Sequence, residues 1–404
     1  MNKLSIDDIE LKGKKVLVRV DFNVPLDENK NITDDKRITS SLPTINKIIN
    51  DGGKVILMSH LGRPKGERKP EFSLEPVAKR LSELLNKNVI FSNDCIGSDT
   101  KLLVDNLKDS EILLLENLRF HKEEEKNDPG FAKALSEFGD VYVNDAFGSA
   151  HRAHASTEGI TKFISTCVAG YLMKKELDYL GSKLENPAKP YCAILGGAKI
   201  SGKIDVIKNL IGKVDTLIVG GGMAFTFFKA QGKEIGTSLL ENDKLDLAKE
   251  ILSEIDKSNT KLFLPVDVLT ADKFSNETDF NIVDVENMPS NKMGLDIGPE
   301  TIKLFSEQIL NAKTIVWNGP MGVFEFNNFA NGTFSIANVL KQATENGSIT
   351  IVGGGDSAAA IKEAGLEVSV SHVSTGGGAS LEFLEGKFLP GVEALTSKKK
   401  GYCE

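Results

Sequence analysis

The sequence predicts an α/β protein of two halves, each a parallel sheet covered by helices on both faces. Short apolar runs alternate with amphipathic stretches along the whole chain, which is typical of βαβ units. The apolar runs are continuous in Val, Ile and Leu, as in strands that are buried on both sides. At 404 residues the chain is too long for one ordinary core. We therefore expect two domains, residues 1–167 and 187–385, with a cleft between them and a tail at 386–404.

A central helix is predicted at residues 168–186, between the two halves. Its sequence is VAGYLMKKELDYLGSKLEN, and Asn186-Pro187 ends the pattern. Its apolar side chains recur at helical spacing: Met173, Leu177, Leu180 and Leu184. All seven arginines and four of the five histidines precede residue 168, whereas 25 of the 37 glycines follow residue 186. The helix thus joins a basic half to a half rich in glycine loops, and a reaction between them would take place across the cleft.

Apolar runs in the first half predict five strands, at Lys15–Val20, Val55–Met58, Val89–Phe91, Ile112–Leu115 and Val141–Val143. Amphipathic runs predict helices at Pro43–Asn50, Leu74–Leu85 and Phe131–Phe138. Polar side chains follow the strands, namely Asp21, Asn23, His60, Arg63, Arg119, Asn144, Asp145, His151, Arg152 and His154. Ligands of open parallel sheets bind beyond the carboxyl ends of the strands, so we expect these side chains at one edge, with Arg37 of the DDKRI loop. Guanidinium forks beside imidazoles suit a small, multiply charged phosphate or carboxylate.

Other interpretations of these side chains stay open. Any one arginine could be a surface or salt-bridged residue. His60, His151 and His154 could ligate a metal, although their spacing lacks the HExxH pattern. A Ser/His/Asp triad is also open, although the sequence contains no GxSxG elbow.

The second half repeats the alternation. Strands are predicted at Cys192–Leu195, Thr216–Val219, Leu262–Leu264, Asn281–Val285, Thr314–Trp317, Ile349–Val352 and Val368–Val373. Helices are predicted at Leu239–Ile255 and Pro299–Leu310. Helical sequences also follow two glycine runs, Gly353–Ser357 and Gly376–Gly378. Glycine lets backbone amides approach an anion, and a helix N-terminus adds partial positive charge, so both runs predict phosphate binding.

Four charged residues of the second half are candidate ligands. Lys199 and Lys203 lie one turn apart at the opening of a predicted helix and could reach the same phosphate chain, or be surface lysines. Asp356 could cap a helix or hold Mg²⁺ against phosphate oxygens. Glu325 could be a surface acid or accept hydrogen bonds from ribose hydroxyls.

Two familiar nucleotide motifs match only in part. Residues 197–203 fit GxxxxGK, but Ile204 stands where a P-loop needs a hydroxyl for magnesium. Residues 353–358 fit G-x-G-x-x-A, but no acid ends the next predicted strand. Neither a P-loop enzyme nor a dinucleotide dehydrogenase is favoured.

Composition argues against several other classes. The net charge is −8 and neither half is basic overall, which argues against nucleic acid as the main partner. No run of 18 apolar residues exists, and the first residues lack the apolar core of a signal peptide. Cys95, Cys167, Cys192 and Cys403 have neither a metal-like spacing nor the look of a disulfide framework. We expect a cytoplasmic protein that binds neither nucleic acid nor a membrane.

Ten motifs in this order resemble those of the phosphoglycerate kinase family. They are RVDFNVP (19–25), DDKRI (34–38), SHLGRP (59–64), ENLRF (116–120), NDAFGSAHRAHAST (144–157), GGAKISGKI (196–204), LDIGP (295–299), VWNGPMGVFE (316–325), GGGDSAAA (353–360) and STGGGASLE (374–382). They cover the chain from about residue 15 to 390. Gly202 departs from the pattern, because a polar or charged residue is more usual there.

The resemblance implies two doubly wound, Rossmann-like domains, the first binding phosphoglycerate and the second binding nucleotide. It implies reversible phosphoryl transfer between Mg-ATP and the carboxylate of 3-phosphoglycerate, giving ADP and 1,3-bisphosphoglycerate in glycolysis. It also implies a monomer that closes by hinge bending, with a tail packed back on the first domain. Two other classes remain, a non-catalytic nucleotide-dependent binding protein and a kinase of another small acid.

The resemblance also assigns residues. Those implied to bind phosphoglycerate are Asp21, Asn23, Arg37, His60, Arg63, Arg119 and Arg152. Those implied to bind nucleotide are Lys199, Lys203, Gly294, Asn318, Glu325, Gly354, Gly355, Asp356 and Ser357, with Asp356 on Mg²⁺. The acceptor is a carboxylate that is ionised at pH 7, so no general base is needed. We therefore expect catalysis by Arg37, Lys199 and the amides of Gly376 and Gly377, which would position and neutralise the transferring phosphoryl group.

Overall fold

The computed structural model describes residues 2–398, which divide into two compact units. The first unit comprises residues 2–178 and 388–398, and the second comprises residues 179–387. The division at Asp178–Tyr179 falls inside the segment predicted as the central helix. Among the described residues, no helix is long and apolar enough to cross a bilayer.

A six-stranded parallel sheet forms the first unit, in the order β3-β4-β2-β1-β5-β6. Its strands are β1 (Lys15–Arg19), β2 (Lys54–Met58), β3 (Val89–Phe91), β4 (Ile112–Leu114), β5 (Val141–Asn144) and β6 (Cys167–Ala169). Its helices are α1 (Lys36–Asn50), α2 (Glu75–Leu85), α3 (Ser98–Asn106), α4 (Lys122–Glu125), α5 (Pro129–Ser136) and α6 (Tyr171–Glu176). Val16 and Val18 of β1 pack in one core with Ile45 of α1, and the intervening Leu17 is equally buried. Burial of both strand faces explains why this run is continuously apolar.

A second six-stranded parallel sheet, in the order β15-β14-β13-β7-β8-β9, forms the frame of the second unit. The strands of this unit are β7 (Tyr191–Leu195), β8 (Thr216–Val219), β9 (Lys261–Phe263), β10 (Asp267–Ala271), β11 (Phe280–Asp284), β12 (Met293–Ile297), β13 (Thr314–Asn318), β14 (Ile349–Gly353) and β15 (His372–Val373). Its helices are α7 (Lys183–Glu185), α8 (Ile204–Leu210), α9 (Met223–Ala230), α10 (Leu245–Asp256), α11 (Pro299–Asn311), α12 (Asn331–Glu345), α13 (Gly355–Glu363) and α14 (Gly378–Leu384). Trp317 of β13 is fully buried in a core with Ile194 and Ile336.

The predicted fold class is confirmed, because each unit carries a parallel sheet of six strands. The prediction missed a small antiparallel sheet in the second unit, in the order β11-β10-β12. Of this sheet, only the strand Asn281–Val285 was predicted, and its antiparallel direction was not. Strand β11 is mostly exposed and β12 contains Gly294, so neither has the continuous apolar run of a buried parallel strand. The predicted strand Val368–Val373 shortens to β15, since Val368 is 96% exposed.

Helix boundaries also differ from the predicted ones. Helix α1 begins at Lys36, seven residues before the predicted Pro43, and it accommodates that proline in its interior. The central helix begins at Tyr171 and not at Val168, because Val168 pairs with Val143 in the sheet. Residues 177–182 of this helix form a π-helical segment, and α7 then continues it to Glu185.

The start of α6 is fixed by a buried carboxyl group. The Oδ1 atom of Asp145 accepts hydrogen bonds from the backbone N–H groups of Leu172 (2.9 Å) and Met173 (3.2 Å). Burial raises the pKa of Asp145 to about 6. Gly170 passes so close that a Cβ atom on it would overlap the Asp145 carboxyl group. The turn from β6 into α6 therefore requires glycine at this position.

The C-terminal tail returns to the first unit. Its helix α15 spans Pro390–Glu393. The backbone N–H of Gly391 donates to the carbonyl of Ala150 at 2.8 Å. The carbonyl of Thr396 accepts from Leu4 N–H and its own N–H donates to the carbonyl of Cys167, both at 2.8 Å. Residues near both ends of the described chain thus complete one unit.

The lysine run of the tail is described only at Lys398. Its Nζ atom donates to Asp8 Oδ1 at 2.9 Å. A backbone hydrogen bond from Ser5 and the Lys398 ammonium lower the pKa of Asp8 to about 2. The rest of the lysine run, Lys399 and Lys400, lies outside the described residues.

Replacing Gly170 by alanine should destabilise the first unit. The added Cβ overlaps the Asp145 carboxyl group, so the cap of α6 must shift. We expect Gly170→Ala to lower the free energy of unfolding by about 2 kcal/mol, measured by urea denaturation. Gly181→Ala is the control, because its Cβ would meet only the Phe383 ring at 3.7 Å. Equal stability of both variants would contradict this account of the helix start.

Candidate functional site

Six positively charged or imidazole side chains gather in the first unit, and we call them the basic cluster. They are Arg19, Arg37, His60, Arg119, Arg152 and His154. Arg19 ends β1, His60 follows β2, and Arg119 lies in a turn of 3₁₀ helix after β4. Because the strands are parallel, their carboxyl ends meet at one edge of the sheet. The predicted gathering of polar side chains at this edge is therefore realised in the first unit.

His60 is a buried member of the basic cluster, and the charges of the neighbouring arginines act on it. It is 6% exposed, and its Nδ1 atom lies 3.1 Å from an Arg19 guanidinium nitrogen. Burial lowers the pKa of His60 well below its usual value, and the charges of Arg19 and Arg119 add to that effect. His60 is consequently neutral at physiological pH.

The charges of the basic cluster also act on His154 and Arg119. Burial, followed by the charges of Arg19 and Arg119, lowers the pKa of His154 to about 4. Arg119 is 7% exposed, and burial lowers its pKa as well. Its guanidinium donates to the carbonyl of Gly62 at 2.9 Å, and its Nε atom lies 3.5 Å from Glu125. The cluster therefore combines charged guanidinium groups with uncharged imidazoles.

The remaining predicted residues of this half lie on the more open side of the cluster. An Arg37 guanidinium nitrogen donates to Asp21 Oδ2 at 2.5 Å. Asn23 Oδ1 accepts from Gly62 N–H at 2.9 Å, which ties two strand-end loops together. Arg152 is exposed, and its Nε atom donates to His151 at 3.2 Å.

Arg63 is exposed and differs from its neighbours in having no partner. Within residues 2–398 its guanidinium makes no hydrogen bond or ion pair. The adjacent Gly62 carries the two contacts that link this loop to Asn23 and Arg119. The loop is thus held by its backbone, and the Arg63 side chain stays available to a ligand.

The prediction missed the groups beneath the cluster. Arg19, the first residue of the RVDFNVP motif, is fully buried. Its Nε atom donates to Ser156 Oγ at 2.8 Å, and Ser156 Oγ donates to Glu124 Oε1 at 2.5 Å. Glu124 is also fully buried. One sequence signal was present, since an arginine inside the apolar run KVLVRV must find a buried partner.

The second unit contains a cavity of about 420 Å³. Three predicted residues line it, namely Gly294, Glu325 and Asp356. Much of its wall is apolar and was not predicted, including Phe225, Leu239 and Met321. Such a volume, mostly apolar with a few polar groups, is typical of a small-molecule site.

Two glycines shape the cavity by allowing close packing. A Cβ atom on Gly294 would lie 2.1 Å from Cζ of Phe225, so the backbone of β12 lies close to the end of that ring. Gly221 has φ +69°, and a Cβ atom there would meet the Gly197 carbonyl at 2.6 Å. These close approaches make backbone atoms part of the cavity wall.

Polar groups at the carboxyl ends of β13 and β14 lie beside the cavity. Lys203 donates from Nζ to Asn318 Oδ1, and burial lowers the pKa of Lys203 to about 8 despite the opposing charge of Asp356. Asn318 is 2% exposed, and its Nδ2 atom has no hydrogen-bond partner among the described residues. Gly354 has φ +87°, and a Cβ atom on it would lie 3.1 Å from Asn318 Oδ1. An unpaired buried donor next to a glycine loop calls for an acceptor from a ligand.

Other predicted residues of the glycine-loop half have contacts of their own. Ser357 is fully buried, and its Oγ atom accepts from Gly319 N–H at 2.6 Å. Gly376 donates from its N–H to Ser374 Oγ at 3.1 Å. Gly377 has φ +49° and caps α14. These contacts hold the loops in place, so ligand binding by Ser357, Gly376 and Gly377 stays a prediction.

The two predicted lysines do not open the same helix. Lys203 is the N-cap residue of α8, whereas Lys199 lies in the turn before it. Lys199 is exposed and makes no ion pair with any residue in 2–398. It is therefore free to move toward an anion, while Lys203 is already fixed.

The residues present fit a magnesium–nucleotide. Phosphate oxygens would meet the half-buried Lys203 ammonium, Asn318 Nδ2 and the N-terminus of the nine-residue helix α13. Asp356 is exposed and lines the cavity, so it offers the oxygen ligand that a hard cation prefers.

The histidines proposed as metal ligands do not form such a site. Within the described range, one His/Cys/Asp grouping has its ligand atoms within 4.8 Å of one another, and it consists of Asp94, Cys95 and His121. The Asp94 carboxylate there accepts from His121 at 2.7 Å and pairs with Arg68 at 3.3 Å. A guanidinium on the carboxylate opposes cation binding, so this grouping is best described as a hydrogen-bonded ion-pair cluster.

Asp296 is a buried carboxyl group in the cavity wall. Its Oδ2 atom accepts from Gly332 N–H at 2.7 Å and its Oδ1 atom accepts from Ile297 N–H at 2.9 Å. A Cβ atom on Gly322 or Gly332 would overlap this carboxyl group. Burial raises the pKa of Asp296 to about 7. It thus links β12 to the start of α12 next to the ligand cavity.

Comparisons with known proteins point to one family. The sequence profile of the phosphoglycerate kinase family matches residues 6–387. A phosphoglycerate kinase of Chlorobium phaeobacteroides (strain BS1) is 61% identical over 395 residues, covering 98% of this chain and 100% of the relative. One of Chloroherpeton thalassium is 60% identical over 397 residues with the same coverage. The solved phosphoglycerate kinase structure from Coxiella burnetii has a TM-score of 0.89 at 43% identity, covering 97% of this chain and 98% of that one.

Replacing Asp296 by asparagine should change how stability depends on pH. The folded protein keeps a proton on this carboxyl group up to about pH 7. The unfolded chain releases it near pH 4, so Asp296 costs stability as pH rises between these values, by at most about 1.4 kcal/mol per pH unit. We expect the melting temperature of Asp296→Asn, relative to wild type, to rise between pH 4.5 and pH 7.5.

The control for this measurement is Asp246→Asn, because the Asp246 side chain is fully exposed. Its melting temperature relative to wild type should not change between the two pH values. Parallel behaviour of both variants would show that Asp296 does not retain its proton in the folded state.

Proposed function

The chain belongs to the phosphoglycerate kinase family, and we propose that its basic cluster binds 3-phosphoglycerate while the cavity and glycine loops of the second unit bind Mg-ATP. The enzyme transfers a phosphoryl group reversibly between ATP and the carboxylate of 3-phosphoglycerate. The products are ADP and 1,3-bisphosphoglycerate, and the reaction belongs to glycolysis. Residues 1–167 are thus the phosphoglycerate-binding domain, and residues 187–385 are the nucleotide-binding domain.

One observation supports the acceptor site most strongly. Arg37, Arg119 and Arg152 lie in the same electrostatic field as two uncharged histidines, at the carboxyl edge of one sheet. Such a set neutralises a small ligand that carries both a phosphate and a carboxylate. Asp21 and Asn23 add acceptor oxygens that can bind its hydroxyl group. The exposed Arg63 would complete the site.

The nucleotide site has an apolar part and a phosphate part. The apolar wall that includes Phe225 and Leu239 suits adenine, and Glu325 at the cavity wall can accept from ribose hydroxyls. Lys203 and Asn318 Nδ2 supply donors for the phosphate chain, with backbone amides of Gly354, Gly355 and Ser357 at the start of α13. Asp356 would hold Mg²⁺, which neutralises phosphate charge when bound.

Catalysis here needs no general base. The acceptor carboxylate is ionised at neutral pH, and His60 and His154 are uncharged. The residues must therefore position the reactants and neutralise charge on the transferring phosphoryl group. Arg37 and Lys199 suit this task because both are exposed, and the amides of Gly376 and Gly377 would assist.

We further propose that the two units approach each other when both substrates are bound. In-line transfer requires the acceptor carboxylate and the γ-phosphate to lie within contact distance, and closure also excludes water. The π-helical segment at residues 177–182 coincides with the division between the units and is a candidate hinge. We also propose that the enzyme acts as a cytoplasmic monomer.

The test of the reaction is an assay with ATP, Mg²⁺ and 3-phosphoglycerate, coupled to reduction of 1,3-bisphosphoglycerate by a dehydrogenase. Wild type should turn over, and Arg37→Ala should lose about 10²–10³-fold in kcat. The control is Arg80→Ala, since Arg80 lies on α2 and pairs with Asp35 (2.8 Å) and Glu83 (2.7 Å) outside the cluster. Near-normal kcat in Arg37→Ala would refute the role of Arg37.

The same assay separates the competing classes. A wild-type protein that binds both ligands but does not turn over would be a nucleotide-dependent binding protein. One that hydrolyses or transfers from ATP without binding 3-phosphoglycerate would be a kinase of another acid. Equilibrium binding of 3-phosphoglycerate, measured by calorimetry, distinguishes these outcomes.

Closure is tested by small-angle X-ray scattering. We expect the radius of gyration to fall when 3-phosphoglycerate and a non-hydrolysable ATP analogue with Mg²⁺ are both present, and to change less with either alone. The reason is that only the ternary complex gives both units a shared ligand contact. An unchanged radius of gyration with both ligands bound would count against closure.

A further inference from the structure

We propose that Arg19 is a positioning residue for His60, which it holds as a neutral imidazole with its proton on Nε2. This inference rests on the proposed function only for the identity of the ligand that His60 meets. The hydrogen bonds that carry it belong to the first unit alone.

The direction of the Arg19–His60 hydrogen bond fixes the tautomer. The guanidinium nitrogen of Arg19 lies 3.1 Å from His60 Nδ1. A guanidinium has only donors, so Nδ1 must be the acceptor and cannot carry a proton. The single ring proton of the neutral imidazole is therefore on Nε2.

Arg19 is itself fixed on three sides. Its Nε atom donates to Ser156 Oγ at 2.8 Å, and another nitrogen donates to the carbonyl of Val20 at 2.5 Å. Since the third bond goes to His60, no rotation of the guanidinium could keep all three. Arg19 is fully buried, so water cannot replace a lost partner.

Glu124, linked to Arg19 through the Ser156 hydroxyl, balances the charge of Arg19. Both Glu124 oxygens accept from Ser156, Oε1 from the hydroxyl at 2.5 Å and Oε2 from the backbone N–H at 3.0 Å. Burial raises the pKa of Glu124, but the nearby Arg19 charge and the two Ser156 hydrogen bonds favour its ionised form. Ser156 thus joins a buried anion to a buried cation, and the Tyr142 hydroxyl donates to its carbonyl at 2.8 Å.

This arrangement leaves one group of His60 for a ligand. Among residues 2–398, Nε2 makes no hydrogen bond. An Nε2–H group can donate to a carboxylate, phosphate or hydroxyl oxygen without adding another positive charge to the arginines. His60 consequently serves as a neutral donor and takes no part in proton transfer.

Other titratable groups around His60 act in the same direction. Arg37 of α1 and Arg119 after β4 carry charge near it, together with Arg19 of β1, and His154 after β5 would add a charge only if it were protonated. Each disfavours an imidazolium ion. Arg19 differs from the rest because it also occupies Nδ1, the atom that would take the second proton.

The test uses ring ¹⁵N spectra of protein labelled at its five histidines, with His60 assigned by comparison with His60→Gln. In wild type we expect the Nε2–H form of His60 from pH 8 down to pH 5. A proton on Nδ1, or an imidazolium at pH 7, would overturn the proposal.

The variant is Arg19→Met combined with Glu124→Gln, which removes both buried charges together. We expect the Nδ1–H tautomer of His60 to appear at neutral pH, because Nδ1 has lost its donor, and KM for 3-phosphoglycerate to rise about tenfold with KM for ATP within about twofold. If this protein does not fold, Ser156→Ala decides by the same two readouts, since it removes only the hydroxyl between the charges. An unchanged His60 signal would refute the role of Arg19.

The matched control is Arg80→Met with Glu83→Gln, an exposed arginine–glutamate pair of the same unit at 2.7 Å. It should leave the His60 signal and both KM values unchanged. The spectra need no substrate, so they test this inference even if the wild-type protein shows no turnover. Absence of turnover would refute the proposed function alone.

Discussion

The parallel direction of the strands is the constraint on which the rest of the molecule depends. In each six-stranded sheet all carboxyl ends reach one edge, and the polar loops follow there. In the first unit this brings several cations together, an arrangement that would repel itself if it were uncompensated. The molecule meets that cost with a buried carboxylate, Glu124, and with histidines that stay uncharged. A dense positive site is thus kept stable without a ligand.

The two units offer different groups to an anion. The first offers guanidinium groups, whose planar forks match carboxylate and phosphate geometry. The second offers glycine backbone, whose amides a phosphate group can approach closely. In the second unit, the polar side chain of Asn318 lies between Lys203 and the Gly354 loop and connects them.

Sequence patterns were sufficient for the parallel sheets and for the residues at their edges, because burial on both faces leaves a continuous apolar run. They failed where a local pattern is overridden by a tertiary contact. Val168 looked helical but pairs with Val143, and the helix starts only where Asp145 can cap it. Phe225 could not be assigned to the cavity, because its role depends on the close approach of Gly294. Burial of Arg19 likewise depends on Ser156, which lies 137 residues away in the chain.

The first unit is built from two separate stretches of chain. Leu4 pairs with Thr396, and the carbonyl of Gly391 accepts from Asn144 at 3.2 Å. During synthesis on the ribosome, these contacts cannot form until the whole of residues 179–387 has been made. The nascent first unit therefore lacks these contacts until its last segment has been made. The second unit can complete its own sheet as soon as it emerges from the ribosome. The order in which the two units mature is then the reverse of their order along the chain.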